Sequence, residues 1–172
     1  MLKLTGDKSH TSCTIMYILI ISINEYFELN RSTLPITFNN KDELVGRKAS
    51  TSILFLITPG NVSRLHRINS DEVWHFYLGG SMTVVELDDA TKSAKLTVLG
   101  HDILGGEVVQ YVVRAGTWFG SYSNEGSAYS FVGCTVAPGF EFTDFELGSR
   151  ATLTTQFPLA TDVIGKLTIG LP

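Results

Sequence analysis

The chain has 172 residues, 44% hydrophobic and 17% charged, with a net charge of −4. That length supports one domain whose core needs neither disulfides nor a structural metal, and the composition excludes a disordered chain. The acidic balance, without any basic cluster, argues against a nucleic-acid-binding surface.

The first 48 residues are the least readable. Their apolar run "CTIMYILIISI", residues 13–23, is too short to span a bilayer, which takes about 20 apolar residues. The following "NEYFEL" lacks the small-residue cleavage site of a signal peptide. A buried strand or helix at the domain edge is expected there, with no membrane partner and a cytoplasmic location. The chain has two cysteines, Cys13 and Cys134. Cys134 sits in "YSFVGCTV", where a buried thiol is expected rather than half of a disulfide.

From residue 49 onward, short runs rich in β-formers alternate with turn residues. The runs are "TSILFLIT", "SRLHRI", "EVWHFYL", "MTVVEL", "KLTVLG", "EVVQYVV", "TWFGSY" and "YSFVGCTV". Turns fall at "TPGN", "GGS", "DDATKS", "HDILGG", "RAG" and "SNEGSA". This spacing predicts an all-β sandwich or barrel and leaves no room for βαβ crossovers. Helical pattern returns at "SRATLTTQF", residues 149–157, where Ser149 is placed to cap and Pro158 to stop the helix. The closing "TDVIGKLTIGL" fits either a strand or a short helix. One domain is expected over residues 1–172, with an N-terminal arm (1–48), a core (49–147) and a C-terminal extension (148–172).

The chemistry concentrates in "GNVSRLHRINSDEVWHFYLGG", residues 60–80. Strand parity places Arg64, His66 and Ile68 on one face of "SRLHRI". In the next strand Glu72, Trp74, Phe76 and Leu78 share a face, and His75 lies opposite. His66 and Glu72 would then stand against an aromatic wall, the usual build of a small-molecule pocket.

The intervals Gly60, His66, Ile68, Glu72, Gly79 resemble the first motif of the cupin superfamily, G-x5-H-x-H-x3,4-E-x6-G. Ile68 stands where that motif has its second metal histidine. The second motif, P-x-G-x2-H-x3-N, is recognisable as "RAGTWFGSYS", with Arg114, Phe119 and Ser123 replacing its proline, histidine and asparagine. Two of the four metal ligands are thus hydrocarbon, so no tightly bound metal and no other cofactor is expected. The runs "HRINSDEVWHFYLGG", "LGHDILGGEVVQYVVRAGTWFGS" and "YSFVGCTVAPGFEFTDFEL" resemble one cupin branch, domain of unknown function 985. "EYFELNRS", residues 25–32, resembles that branch's early strand. The branch's preceding proline-glutamate-glycine-glycine stretch is here "ISIN".

That resemblance implies a double-stranded β-helix (the cupin jelly-roll barrel) with short peripheral helices, a pocket in the barrel mouth and a homodimer. The wider superfamily includes metal-independent sugar-nucleotide epimerases, in which a histidine is the base and a tyrosine the acid. His66 occupies the matching strand position. Two functions stay open. One is an isomerase or epimerase acting on a sugar or nucleotide-sugar, with His66 as base, Glu72 orienting it, and Tyr111 or Tyr122 as acid. The other is a non-catalytic nucleotide or metabolite binder. Trp74, Phe76, Trp118, Phe119 and Tyr122 would offer stacking faces, and Arg64 would meet a phosphate or carboxylate. A purely structural cupin is disfavoured, because burying His66 and Glu72 unused costs free energy.

Overall fold

Among the described residues ten strands form two antiparallel sheets, one strand order running β1-β2-β9-β4-β7 and the other β10-β3-β8-β5-β6. The computed structural model describes residues 18–21, 48 and 50–168. The first sheet holds β1 (Ile18–Ile21), β2 (Thr51–Ile57), β4 (Asp71–Gly79), β7 (Gln110–Val113) and β9 (Ser130–Ala137). The second holds β3 (Val62–Arg67), β5 (Met82–Asp88), β6 (Ser93–Leu99), β8 (Phe119–Ser123) and β10 (Glu146–Leu147). All eight expected runs are strands. β1 falls within the apolar run at residues 13–23 and pairs Ile18 with Phe55 and Ile21 with Ser52. Cys13 and residues 25–32 lie outside the described residues.

Two cores follow from this layering. Between the sheets, Phe55, Ile57, Ile68, Trp74, Phe76, Val84, Phe119 and Val132 pack together. On the outer face of the second sheet, Leu65, Val85, Leu87 and Trp118 pack under Leu153, Phe157, Ile164 and Leu167. β5 shows why both exist. Met82 and Val84 join the inner cluster, while Val85 and Leu87 join the outer one. Its run "MTVVEL" is therefore apolar on both faces, as a strand covered on both sides must be.

Two short helices, α1 (Arg150–Gln156) and α2 (Thr161–Leu167), cover the second sheet. Ser149 is the residue preceding α1, but its side chain makes no capping bond. Pro158 ends α1 and opens a single 3₁₀ turn, Pro158–Ala160. The ambiguous last segment is helical because Ile164 and Leu167, three residues apart, both reach the outer cluster. Arg150 ties the two helices together, donating to the Thr168 hydroxyl at 2.8 Å and to the Thr168 carbonyl at 2.9 Å. None of the helices among the described residues is long and apolar enough to cross a membrane.

Strand parity fails at two bulges. In β4 the pairing with β9 shifts between Phe76 and Leu78, and Leu78, expected to line the barrel, is instead exposed. In β3 the pairing with β8 shifts between Ser63 and His66, so Arg64 and Leu65 share one partner, Gly120. Leu65 turns to the helices, while Ser63, Arg64 and His66 all line the space between the sheets. A side chain on Gly120 would put its Cβ 2.7 Å from the Ser63 carbonyl oxygen and 3.2 Å from the Leu65 nitrogen. Glycine is thus required where the bulged backbone comes closest.

Candidate functional site

A cavity of about 850 Å3 opens between the sheets. Its walls come from β2 (Ile53, Phe55, Ile57), β3 (Ser63, Arg64, His66), β4 (Glu72, Trp74) and β9 (Cys134, Val136). The stretch joining β9 to β10 closes one side with Phe140, Glu141, Phe142 and Phe145, and Leu147 of β10 continues that wall. Lys48 also lines it. A volume of this order suits a small organic molecule.

His66 stands at the edge of this space in a fixed state. Its ring packs 4.2 Å from that of Phe119 and 5.1 Å from that of Phe145. Burial against these rings drops its pKa from 6.5 to about 4, although its bond to the Arg64 backbone opposes the shift. Nδ1 lies 2.6 Å from the Arg64 carbonyl oxygen. A carbonyl only accepts, so Nδ1 carries the proton and Nε2 keeps its lone pair. Among the described residues nothing hydrogen-bonds that Nε2.

Glu72 is displaced in the opposite direction. It is 8% exposed on the inner face of β4, and burial raises its carboxyl from 4.5 to about 7, against a bond from the Cys134 thiol. Cys134 is a free, buried cysteine, as expected, and burial together with the neighbouring Glu72 holds its thiol well above the usual range. Trp74 pairs with Cys134 across the strands and is 1% exposed, its indole N–H buried without a partner.

The sequence-expected residues therefore divide. His66, Glu72, Arg64 and Trp74 line one cavity. Phe119 supports it from behind as the ring against His66. Phe76 is 6% exposed in the inner core, edge-on to His101 at 4.9 Å, and is absent from the lining. Trp118 and Tyr122 lie on the helix side of the second sheet, one residue out of parity with Phe119 and Ser121. There Arg67 covers Trp118 at 4.6 Å and Lys166 covers Tyr122 at 3.1 Å. Tyr111 is the expected acid placed elsewhere. Its hydroxyl donates to Glu86 on β5 and accepts from Lys95 on β6 at 2.5 Å. His75 lies on the outer face, as parity implied, with Nε2 3.1 Å from the Thr135 hydroxyl.

The four positions of the cupin metal set are occupied by His66, Ile68, Glu72 and Phe119. Ile68 is 3% exposed and Phe119 fully buried, so two corners of the coordination sphere are hydrocarbon. Among the described residues no group of three or more His, Cys, Asp or Glu side chains is placed to hold a metal ion. The residues present do not fit that metal. The aromatic wall from Phe140 to Phe145 has no signal in the sequence, because no local pattern shows that this connection folds back over His66.

The family model for "Cupin superfamily (DUF985)" matches residues 24–148. The chain belongs to that family. Two solved structures are similar over 70% of this cupin. One is a protein from Shewanella oneidensis, 40% identical, with 75% of its chain covered and a TM-score of 0.66. The other is a hypothetical protein from Leishmania major, 32% identical, with 77% covered and a TM-score of 0.65. Oxalate decarboxylase from Bacillus subtilis is 14% identical with a TM-score of 0.53. The match spans 88% of this cupin and 35% of that enzyme, and it shows a shared fold alone. No curated protein matches.

Proposed function

We propose that this cupin binds a small organic molecule between its sheets and moves a proton on it without a metal, as an isomerase or epimerase. One observation carries the reading. Two titratable groups lining a single cavity are displaced in opposite directions, His66 to about 4 and Glu72 to about 7. Paired groups pushed apart in this way mark a base and an acid. Between those values the imidazole is free to accept a proton and the carboxyl still has one to give.

In this reading His66 Nε2 takes the proton from a carbon beside a carbonyl, and Glu72 donates a hydrogen bond to the carbonyl oxygen. The electron pair of the broken C–H bond moves onto that oxygen. Negative charge developing there stabilises the imidazolium as it forms. Return of the proton from the imidazolium to the neighbouring carbon, with Glu72 passing its proton to the first oxygen and taking that of the neighbouring hydroxyl, completes an isomerisation. Its return to the opposite face of the first carbon, after the enol turns over in the cavity, completes an epimerisation. Sugars and nucleotide-sugars are the substrate class that the sequence resemblance suggests. The test is deuterium uptake at carbon from heavy water across a panel of sugar phosphates, nucleotide-sugars and 2-oxo acids. Exchange by the wild type and none by His66→Ala supports the reading.

A second reading, a non-catalytic metabolite binder, is favoured by the engagement of Tyr111 with Glu86 and Lys95. That leaves no tyrosine among the described residues lining the cavity. Saturable binding with no exchange by the wild type selects it. The expected homodimer is also kept as a proposal. Sedimentation at micromolar concentration checks it, and a monomer there overturns it.

A further inference from the structure

We infer that the ligand of this cavity carries a carboxylate or phosphate group, held at the mouth by Arg64 and Lys48, on a body that is apolar where it enters the barrel. This rests on the acid–base reading of the same cavity, and it replaces the sugar class that the sequence resemblance suggests with an anion of apolar body. The observation is a contrast among cations. Arg67 pairs with Glu146 at 2.6 Å, Lys92 with Asp89 at 3.1 Å, Lys95 with Glu86 at 3.5 Å and Arg114 with Asp71 at 2.6 Å. Arg150 is spent on the end of α2, and Lys166 covers the ring of Tyr122. Among the described residues only the side chains of Arg64 and Lys48 have no carboxylate, aromatic or hydrogen-bonding partner, and both line the cavity.

Arg64 shares the cavity side with His66, as parity implies, and the β3 bulge opposite Gly120 brings Ser63 there as well. Of the two acids in the lining, Glu72 is held largely protonated below about 7, and Glu141 is already engaged elsewhere. An exposed pair of cations beside an otherwise apolar wall is complementary to an anion with a hydrophobic tail. The apolar part of the lining speaks against a hydroxyl-rich body. Thr51 already accepts from the Phe140 N–H at 2.9 Å, and the Asn61 amide donates to Thr58 at 2.6 Å. Sugar hydroxyls placed among Ile53, Phe55, Ile68 and Phe142 would lose water without gaining partners.

Calorimetric titration of the full chain tests this, with 4-phenylbutanoate against its neutral amide and phenyl phosphate against phenol. UDP-glucose serves as the hydroxyl-rich anion. The expected result is at least about tenfold tighter binding of each anion than of its neutral counterpart. Arg64→Gln and Lys48→Gln each erode that preference while amide binding is unchanged. Equal affinity for anion and neutral probe, no binding of either, or binding of UDP-glucose alone overturns the inference. The acid–base reading fails separately. His66→Ala keeps the anion preference, so a wild type that prefers anions yet exchanges no deuterium refutes the catalysis and leaves the ligand class standing.

Discussion

The ring of Phe145 stacks on the imidazole of His66, centroids 5.1 Å apart and planes 25° from parallel. Phe145 lies on the stretch between β9 and β10, and β10 pairs with β3 itself, Leu147 opposite His66. A short strand thus holds the ring that keeps water from the histidine. Removing that ring rehydrates the imidazole, and desolvation is the main cause of its lowered pKa. Phe145→Ala is expected to raise the His66 pKa from about 4 toward 6.5, read by NMR titration of the ring protons. An unchanged value would show that another wall excludes the water.

The two shifted groups also set a pH dependence of stability. His66 has a folded pKa of about 4 against an ordinary 6.5, so across that interval the unfolded chain binds a proton that the native one does not. Stability from this group rises with pH. Glu72 runs the other way. Its folded pKa of about 7 against 4.5 means that the native chain keeps a proton that the unfolded one releases, and stability falls as pH rises. Each slope is about 1.4 kcal/mol per pH unit, and over the shared interval they cancel. Glu72→Gln should therefore gain roughly 2 to 3 kcal/mol between the two ends of that interval, and His66→Gln should lose a similar amount. Urea unfolding at pH 4.5 and 6.5 checks both. Variants that follow the wild-type profile would refute the shifts.

The absent metal set has a direct test. Ile68→His combined with Phe119→His returns nitrogen ligands to two positions that flank His66 and Glu72. The ring of residue 119 already lies 4.2 Å from that of His66. The double variant is expected to retain stoichiometric zinc after dialysis, with wild type and each single variant retaining less. A folded double variant that takes no zinc would mean that more than these two side chains separates this barrel from a metal cupin.

Gly120→Ala should disturb the site from outside it. The added Cβ meets the Ser63 carbonyl oxygen at 2.7 Å, and a backbone atom yields only by moving the bulge. A loss of about 1 to 3 kcal/mol in denaturant unfolding is expected, with weaker binding of anionic probes because Arg64 shifts. Wild-type stability would show that the bulge adapts freely.

Much of this was legible in the sequence because alternation is a local signal. All eight strand runs were readable, and the intervals from Gly60 to Gly79 placed His66 and Glu72 on facing elements. Parity misled where a bulge added a residue. Leu78 turned outward past the irregularity in β4, and nothing in "WHFYLGG" marks that position. Parity was also silent on which end of the barrel a strand serves. Tyr111 sits directly across from Trp74, yet its hydroxyl reaches Glu86 and Lys95 in the other sheet rather than the cavity. The roles of Phe145 and Lys48 depend on chain segments distant in sequence coming together, which no spacing encodes.

The proposed chemistry depends on His66 being a neutral imidazole with its proton on Nδ1 and an open lone pair on Nε2. Nitrogen-15 NMR of the histidine rings in the full chain, from pH 5 to 8, measures this without knowledge of the substrate. One histidine locked in the Nδ1–H tautomer throughout is expected, its signal lost in His66→Gln. A His66 signal that reports imidazolium at pH 6, or a proton on Nε2, would contradict it.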